Sequence, residues 1–544
     1  MPNKKRVLIC NDAHFLHTGF AKYGKEVLTR LAKTGKYELA ELACYGFIDS
    51  PSSFEVPWKY YANAVKPAHK YFKDYRGHGP NEFGEWRFDR TVLDFKCDAV
   101  LDYRDPYYSQ FIYNSPLRDF YHLSLMPTVD SIPQKTSWIE DFRQADSVLV
   151  YSEWAKPVLE ENRIKVSGIA SPGIDLNTYK QQKKDSVRAK LGLPQDSFIV
   201  GTIMRNQARK LYPELFQAFA KFLSQTTPEI AAKTYLYVHS GYPDASWSFP
   251  ELLLEHGIAH KVYFTYVCPS CKHYFSSLYR DTKTICKKCG KRDSVLANTD
   301  TGLKDEELCE VLNTFDLYIQ YSVAEGFGMP QVEAAACGVP ITAVNYSAMA
   351  DIVKNTYGMP IEYTLFRDAA TNAYRALPNI ENTCYNMHIF FAAPQSFRDE
   401  IGQRARLGVE KHYTWDICAK TWEDHLDSIE LTGKQGKYNL PYQQTKVYQG
   451  NMPEIKNDGN FVDWAIVNVA DSRKLLNSHL VNRLKADLYL GYRKVGKDNY
   501  VVDRKYILNQ CVKIAQVKEQ AELARCGMIK LEEEDFLLRA NMKS

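Results

Sequence analysis

The 544-residue sequence lacks any apolar run of the roughly 18 or more residues that a membrane-spanning helix needs. It also lacks the apolar core of a signal peptide, since residues 1–6 lead directly into the strand-like residues 7–10. Its 13 cysteines are an odd number and most stand singly, which argues against a disulfide framework. These absences predict a cytoplasmic protein with no membrane span.

An excess of charge of one sign is lacking as well. Lys and Arg number 69 against 65 Asp and Glu, and a net charge of +4 is too small to indicate polyanion binding by the chain as a whole. The apolar share of 45% and the charged share of 25% are those of a globular protein. At about 100–200 residues per domain, the length predicts roughly three folded units.

Two strand-loop-helix openings organise the chain. Residues 7–10 precede a helical pattern at 23–32, and residues 198–204 precede another at 215–223. Repeated units of this kind favour parallel sheets, so we predict an α/β fold with two Rossmann-like domains facing a cleft. Turn-forming residues at 167–175 divide the chain into an N-terminal domain, 1–170, and a C-terminal domain, 171–430.

Two further segments have weaker periodicity. Residues 49–90 are rich in proline, glycine and aromatic residues, and we predict a long loop region there. The Gly-, Gln- and Asn-rich residues 431–458 predict a linker, and helical patterns follow from residue 461 onward. Residues 431–544 are therefore predicted to form a linker and a helical extension.

The most informative segment is a predicted strand, glycine turn and short helix within residues 318–340. Pro330 suits the first helical position, and Gly338 followed by a proline ends the helix. The helix then begins just after Gly326 and Gly328, so free backbone N–H groups face whatever occupies that loop. Small residues at both positions allow close approach of a ligand, and the helix terminus favours phosphate.

Two carboxylates belong to the same segment. Glu325 precedes the glycine loop and Glu333 is placed in the first helical turn, so both can accept hydrogen bonds from the hydroxyls of one bound molecule. A carboxylate pair around a phosphate site suggests a nucleotide sugar. The alternative is that both glutamates merely complement the helix dipole, which is worth about 0.3–1 kcal/mol for each carboxylate.

The run EGFGMPQVEAAACGVP closely resembles the donor-binding signature of family 4 retaining glycosyltransferases, which have the two-domain GT-B fold. The resemblance implies that Glu325 contacts the donor sugar and Glu333 the ribose. It also implies that the loop between them binds the donor, through Gly326, Phe327, Gly328 and Met329. The resemblance covers about residues 6–426, and it implies that 1–170 form the acceptor-side domain and 171–430 the nucleotide-sugar domain.

A second match with that family follows the first strand of the second domain. There the family places an Arg and a Lys with four residues between them, which correspond to Arg205 and Lys210. Fixed cations in a dry cleft stabilise the charge that a departing nucleoside diphosphate gains, so no catalytic metal is expected. The alternative is an ordinary solvated pair of basic residues.

Matches in the N-terminal half are weaker. Gly19 resembles the glycine after the first strand that lets the backbone approach the donor phosphate. Many family members carry a His-Asp pair near the reacting centre, but this chain has no His at that position. Either Asp130 or nearby His122 takes that position. The alternative for His122 is a structural role.

Four cysteines are paired rather than scattered. Two Cys-x2-Cys pairs, Cys268 with Cys271 and Cys286 with Cys289, predict a zinc ribbon inserted at 266–294. Four thiolates leave no open position for water, so the zinc is predicted to be structural. The alternative is a pair of disulfides.

The predicted ribbon is locally basic. Seven cations lie within residues 268–293 near Tyr274, Phe275 and Tyr279, and they are Lys272, Arg280, Lys283, Lys287, Lys288, Lys291 and Arg292. Such a patch can hold phosphates by charge and bases by stacking, although a small ribbon also needs charges for solubility.

These observations predict an enzyme, a retaining glycosyltransferase that moves a hexose or pentose from a nucleotide sugar to an acceptor hydroxyl. Members of the family glycosylate varied acceptors, and some glycosyltransferases act on modified bases in viral DNA. The ribbon favours a hydroxymethylated base in DNA as acceptor, with a saccharide or small molecule as the alternative. The competing prediction is a nucleic-acid-binding protein with an inactive transferase core.

Overall fold

Two parallel β-sheets, each flanked by helices, form the two main parts of the molecule. The computed structural model describes residues 4–527 and 537–538, apart from 51, 53, 54, 116, 299, 431–437, 441–447, 449, 471–484, 486–491 and 495–499. Within those residues no helix is both long and apolar enough to cross a membrane.

The N-terminal sheet contains seven parallel strands in the spatial order β3-β2-β1-β4-β5-β6-β7. Its strands are β1 Lys5–Asp12, β2 Tyr37–Phe47, β3 Lys59–Ala64, β4 Ala99–Asp102, β5 His122–Leu125, β6 Ser147–Val150 and β7 Val166–Ile169. Residues 7–10 of β1 are fully buried, as expected for a strand covered by helices on both faces. The helices are α1 Gly19–Thr34, α2 Phe72–Gly77, α3 Gly79–Glu82, α4 Glu85–Phe95, α5 Gln110–Asn114, α6 Thr136–Phe142 and α7 Ala155–Glu160.

The prediction of a long loop at 49–90 is wrong. This segment contains β3 and the helices α2, α3 and α4. The aromatic residues that suggested a loop are core residues, since Trp58, Tyr60 and Tyr61 are 4%, 0% and 0% exposed. Aromatic side chains favour strands when one or both faces are buried, and this outweighed the local proline and glycine content.

The C-terminal sheet repeats the same topology. Six parallel strands run in the order β10-β9-β8-β13-β14-β15, with β11 antiparallel at the edge and β12 pairing the end of β10. Its strands are β8 Phe198–Ile203, β9 Thr234–His239, β10 Val262–Val267, β11 Tyr274–Leu278, β12 Val295–Leu296, β13 Leu317–Gln320, β14 Ile341–Val344 and β15 Met359–Ile361. A separate hairpin is formed by β16 Tyr363–Asp368 and β17 Ala373–Pro378. Two Rossmann-like sheets confirm the predicted fold class.

The helices around this second sheet include the connection back to the first. They are α8 Lys184–Leu191, α9 Tyr212–Ser224, α10 Pro228–Lys233, α11 Phe249–Glu255, α12 Asp305–Leu312, α13 Met329–Ala336, α14 Ala348–Asn355, α15 Ile380–Ala392, α16 Gln395–His412 and α17 Trp415–Ser428. Helix α17 packs on α1 of the N-terminal part, where the Trp422 Nε1–H donates to the Tyr23 hydroxyl at 2.6 Å. Both side chains are buried, so this helix fastens the two halves together.

The C-terminal extension has a small core of its own. Helix α18 Asp458–Ala465, a π-helical turn Ile466–Ala470 and helix α19 Arg504–Arg525 pack together, beside the strand pair β18 Tyr492–Lys494 and β19 Tyr500–Val502. Strand β20 Leu537–Leu538 pairs antiparallel with β3 at the edge of the N-terminal sheet. The extension is therefore helical with short strands, and 431–437, 441–447 and 449 of the predicted linker lie outside the described residues.

Candidate functional site

The glycine loop between β13 and α13 lies against the N-terminal part of the chain. Gly328 is the N-cap of α13 and has φ +104°, a region that L side chains rarely adopt. Gly326 is needed for a different reason, because a Cβ there would come within 2.5 Å of Thr128 Cγ2. Gly326 is therefore required for close packing across the cleft, and Gly328 is required for its backbone conformation with positive φ.

The other two loop residues serve mainly the core. Phe327 is 8% exposed, and its ring meets that of Tyr413 edge to face at 5.5 Å. Met329 is partly buried against the same core. Their backbone groups, rather than their side chains, remain the candidate contacts for a ligand.

Glu325 is the centre of a buried charge cluster at this loop. Its Oε1 accepts from Lys210 Nζ and, at 3.0 Å, from Gln320 Nε2, while its Oε2 accepts from Arg209 Nη1 at 2.8 Å. Glu325 and Lys210 are each 6% exposed. Burial alone would raise the pKa of Glu325, but the charges of Arg209 and Lys210 outweigh it and hold the pKa below its usual range. Burial lowers the pKa of Lys210, and Glu325 opposes that shift.

Arg205 lies apart from this cluster. Its guanidinium forms two hydrogen bonds with the Asp244 carboxylate, at 3.1 and 3.2 Å, and its side chain is 51% exposed. The cation that joins Lys210 at Glu325 is instead Arg209, which the sequence analysis did not select. Its position directly before Lys210, on the loop after β8, was the available signal.

Glu333 lies in the second turn of α13, so its predicted place in the first turn is wrong. The N-cap is Gly328, which makes Pro330 the second helical residue rather than the first. Glu333 is 5% exposed, and burial raises its pKa. Its Oε1 lies 3.5 Å from Lys22 Nζ of α1, and that ammonium also donates to Asp305 Oδ2 at 2.9 Å. Lys22 therefore bridges the cleft from the N-terminal side.

Gly19 is the first residue of α1, directly after the loop that follows β1. Thr18 is the N-cap, and its Oγ1 accepts from Ala21 N at 3.1 Å and donates to Asp12 Oδ2 at 2.7 Å. Gly19 is exposed, and a Cβ there would meet no described atom within 4 Å, so the space beside this residue is open. The predicted glycine loop and the α13 loop thus each supply a helix N-terminus.

Asp130 and His122, the two alternatives for the reacting centre, lie at opposite ends of the N-terminal sheet. Asp130 Oδ2 accepts from Arg375 Nη1 at 3.2 Å, and Arg375 Nε lies 3.3 Å from Asp368. His122 begins β5, at the amino edge, and its Nε2 lies 2.8 Å from Ser147 Oγ. Ligands of parallel sheets bind at the carboxyl edge, so His122 is a structural histidine.

Asp105 is a further carboxylate of the cleft that the sequence analysis missed. It follows β4 at the carboxyl edge and accepts a hydrogen bond from the Tyr107 hydroxyl at 3.1 Å. Burial raises its pKa, opposed by hydrogen bonds from Thr128 and Tyr107. Because Thr128 also touches the loop at Gly326, Asp105 lies beside the cluster around Glu325.

The four paired cysteines come together. The Sγ atoms of Cys268, Cys271, Cys286 and Cys289 all lie within 4.8 Å of one another. The Cys268–Cys289 and Cys271–Cys286 separations are 3.6 and 3.7 Å, close to the spacing of about 3.8 Å between thiolates bound tetrahedrally at about 2.3 Å from one Zn²⁺. The donor set fits zinc, and all 13 cysteines are free thiols, so the disulfide alternative has no support.

The basic surface of the ribbon differs from the prediction in one respect. All seven cations are exposed, as a phosphate-binding surface requires. Tyr274 and Phe275, however, are 8% and 4% exposed, because β11 packs them against the C-terminal domain. The predicted stacking of bases on these two rings is therefore wrong.

Comparison with known proteins gives a family match that includes the glycine loop. Residues 281–364 match the family model described as glycosyl transferases group 1. The D-inositol 3-phosphate glycosyltransferase of Nocardioides sp. is 25% identical over 253 residues, which are 46% of this chain and 46% of that protein. The enzyme of the same name from Rhodococcus erythropolis is 26% identical over 191 residues, 34% of this chain and 35% of that protein. The chain spans less than half the length of these curated relatives.

Solved structures share the fold over a larger part of the chain. Sucrose-phosphate synthase from Thermosynechococcus elongatus superimposes with a TM-score of 0.57 at 14% identity, covering 78% of this chain and 98% of that one. Anabaena HepE, solved in complex with UDP and glucose, gives a TM-score of 0.51 at 14% identity, covering 78% and 100%. The chain therefore has a GT-B fold, and its residues 281–364 are similar to group 1 glycosyl transferases.

Proposed function

We propose that the chain is a retaining glycosyltransferase that moves a sugar from a nucleotide sugar to an acceptor hydroxyl. The observation that carries the proposal is the buried cluster of Glu325 with Lys210 and Arg209, at the glycine loop that opens α13. Glu333 on the same helix and Gly19 across the cleft complete the proposed donor site. Asp130 remains the candidate for the position nearest the reacting centre.

The proposed reaction exchanges one bond for another. The bond between the anomeric carbon and the diphosphate oxygen breaks, and its electron pair stays on the diphosphate. The acceptor oxygen forms the new bond on the same face of the sugar, and its proton passes to the departing diphosphate. Lys210 and Arg209 supply the positive charge that stabilises the leaving group, and Arg205 joins them if it leaves Asp244. We expect no catalytic metal.

UDP-glucose is a suitable donor probe, because Anabaena HepE was solved with that ligand. We expect the protein to hydrolyse it slowly and Lys210→Met to lower the rate about 100-fold or more, since a fixed cation at the leaving group is lost. Lys411→Met, on an exposed residue of α16, is the matched control. Equal rates for Lys210→Met and Lys411→Met would refute the donor site, and a chain that binds no UDP-glucose would favour the inactive-core alternative.

We also propose that Cys268, Cys271, Cys286 and Cys289 hold one structural Zn²⁺. When bound, the ion would supply cross-links between the two halves of the ribbon. Each Cys-x2-Cys turn is built alike, since Lys272 N donates to Cys268 O at 2.8 Å and Gly290 N donates to Cys286 O at 3.0 Å. Elemental analysis of reduced protein is expected to give one zinc for each chain. A value near zero would contradict the site. The free thiols further favour a reducing compartment such as the cytoplasm.

A DNA acceptor is the second candidate function, and the seven exposed cations of the ribbon favour it. If they contact phosphates, the logarithm of the binding constant should fall with the logarithm of salt concentration by about 0.7–0.9 for each contact. Replacing Lys287, Lys288, Lys291 and Arg292 with Ser should then flatten the slope by about three to four. Undetectable binding of a hydroxymethylated oligonucleotide at low salt would remove this candidate and leave a saccharide or small molecule.

A further inference from the structure

Four aromatic side chains gather at the carboxyl edge of the N-terminal sheet, and we call them the aromatic platform: Tyr45, Phe83, Tyr107 and Tyr108. The Tyr107 and Tyr108 ring centroids are 4.4 Å apart, and Phe83 meets Tyr108 edge to face at 4.1 Å. Tyr45 contacts Phe83 at 6.4 Å. Tyr107 is 50% exposed, an unusual position for a large ring in contact with other rings.

The chain topology brings these rings to the place where ligands of such sheets bind. Tyr45 is near the carboxyl end of β2, and Tyr107 and Tyr108 follow β4 directly. Strands β1 and β4 are neighbours in the sheet, and the strand order reverses between them. A crevice forms at that switch point outside the carboxyl ends of the strands.

The Tyr107 hydroxyl connects the platform to the proposed donor loop. It donates to Asp105 at 3.1 Å. Asp105 also interacts with Thr128, whose methyl group lies against Gly326. A molecule on the platform would therefore place its edge at Asp105, beside the loop that carries Glu325.

Three carboxylates lie around the platform. Asp12 and Asp105 both act electrostatically on Tyr108, and Asp130 acts on Asp105. The guanidinium over the Tyr108 ring belongs to Arg104, whose carboxylate partner Asp102 lies 2.6 Å away, and neither side chain is exposed to solvent. Arg104 is therefore committed to Asp102. Arg209 also acts on Asp105, but it is paired with Glu325 at 2.8 Å. A phosphate on the platform would therefore meet three carboxylates, while the neighbouring cations Arg104 and Arg209 already have carboxylate partners.

We propose that the aromatic platform is the acceptor subsite and that it takes an uncharged saccharide, with one sugar face on Tyr107 and Tyr108 and a hydroxyl donating to Asp105. A sugar ring has an apolar C–H face and a polar rim, which matches exposed rings bordered by a carboxylate. DNA fits less well, since a base on the platform would bring its flanking phosphates toward Asp12 and Asp130. The inference rests on the proposed glycosyl transfer and adds the class of acceptor.

The test compares acceptors with UDP-glucose as donor. The parent chain is offered methyl α-glucoside and methyl α-maltoside, then inositol 3-phosphate, then a hydroxymethylated single-stranded oligonucleotide. We expect transfer to a neutral glycoside at kcat/KM at least about 10-fold above either phosphorylated acceptor. Tyr107→Ala should raise KM for the glycoside about 5-fold or more, because the exposed stacking ring is lost. Asp105→Asn should lower kcat/KM for the glycoside about 100-fold.

Control measurements separate the two proposals. Tyr385→Ala removes a tyrosine that is 57% exposed on α15, and it should leave every rate as in the parent. Binding of UDP-glucose is measured by calorimetry for each variant. A parent chain that binds no UDP-glucose overturns the proposed function and this inference with it. Donor binding combined with a preference for inositol 3-phosphate or DNA, or a parent-like KM for Tyr107→Ala, overturns the acceptor inference alone.

Discussion

Replacing Glu325 with Gln is expected to destabilise the C-terminal domain as well as to impair its chemistry. The substitution keeps the size of the side chain but removes the carboxylate that pairs with Lys210 and Arg209. Arg209 can turn to solvent, because its side chain is already 41% exposed. Lys210 cannot, because its side chain is 8% exposed. The variant therefore keeps a buried ammonium without its counter-charge.

The loss of folding free energy is large because Lys210 stays buried without a counter-charge. Removing one partner of a buried ion pair costs about 3–5 kcal/mol, mostly because the other charge stays buried. In a domain of this size, 1 kcal/mol lowers the melting temperature by about 2–4 °C, so Glu325→Gln should melt roughly 6–20 °C below the parent. Lys210→Met should cost less, since Glu325 keeps Arg209 at 2.8 Å and Gln320 at 3.0 Å.

Thermal unfolding followed by tryptophan fluorescence measures both effects, and the double variant Glu325→Gln with Lys210→Met is decisive. Because no buried charge is left unpaired, the double variant should recover at least about half of the loss. The loss should also shrink between pH 6 and pH 9. Burial already lowers the pKa of Lys210 in the parent, and loss of the Glu325 charge lowers it further in the folded variant. The folded variant therefore gives up this proton at lower pH than the folded parent, and its stability rises more steeply with pH. A Glu325→Gln melting point within about 2 °C of the parent at pH 6, or a double variant no better than the single one, would refute this reasoning.

Three further outcomes are expected. Gly328→Ala forces a side chain into φ +104° and should cost about 1–3 kcal/mol and weaken UDP-glucose binding in calorimetry, whereas parent-like values would show that the loop relaxes. Lys22→Met removes the contact with Glu333 and Asp305 across the cleft and should increase the radius of gyration in small-angle scattering, and an unchanged radius would contradict a bridging role. Cys286→Ser should lower the zinc content below one equivalent for each chain and should lower the melting temperature. Cys526→Ser, the control, should change neither quantity. Full zinc content in Cys286→Ser would count against binding by four thiolates.

The parts of the fold that the sequence predicted well are those with local signals. Helix α9, Tyr212–Ser224, contains the helical pattern that the sequence shows at 215–223, because the apolar spacing of a helix lies within a few residues. The Gly328 turn was equally readable from the glycines and proline around it. The prediction for residues 49–90 failed because the burial that makes Tyr60 and Tyr61 strand residues depends on pairing with strand β2, which lies outside that segment.

The sequence could select those residues of the candidate site that belong to short motifs. Glu325, Glu333 and Lys210 belong to readable motifs, whereas Lys22 reaches Glu333 from more than 300 residues away in sequence. Asp105 carries no motif at all, and only the general expectation that polar residues after parallel strands meet at one edge could have found it. The pairing of Arg209 rather than Arg205 with Glu325 depends on Asp244, which competes for Arg205 from the loop after β9.

The ion pairs of the cleft would reduce the free energy that reorganisation costs when a nucleotide sugar binds. Glu325 is paired with Lys210 and Arg209, and Glu333 with Lys22, so each glutamate of the motif already has a cation beside it. A diphosphate that contacts Lys210 and Arg209 would share cations that are held in position, which avoids the reorganisation that makes new charge contacts expensive. The sugar and ribose hydroxyls would then donate to the two carboxylates, since each has a second lone pair or oxygen to offer. The buried ion pairs therefore do not block donor binding, because they hold in place the cations and carboxylates that would contact the donor.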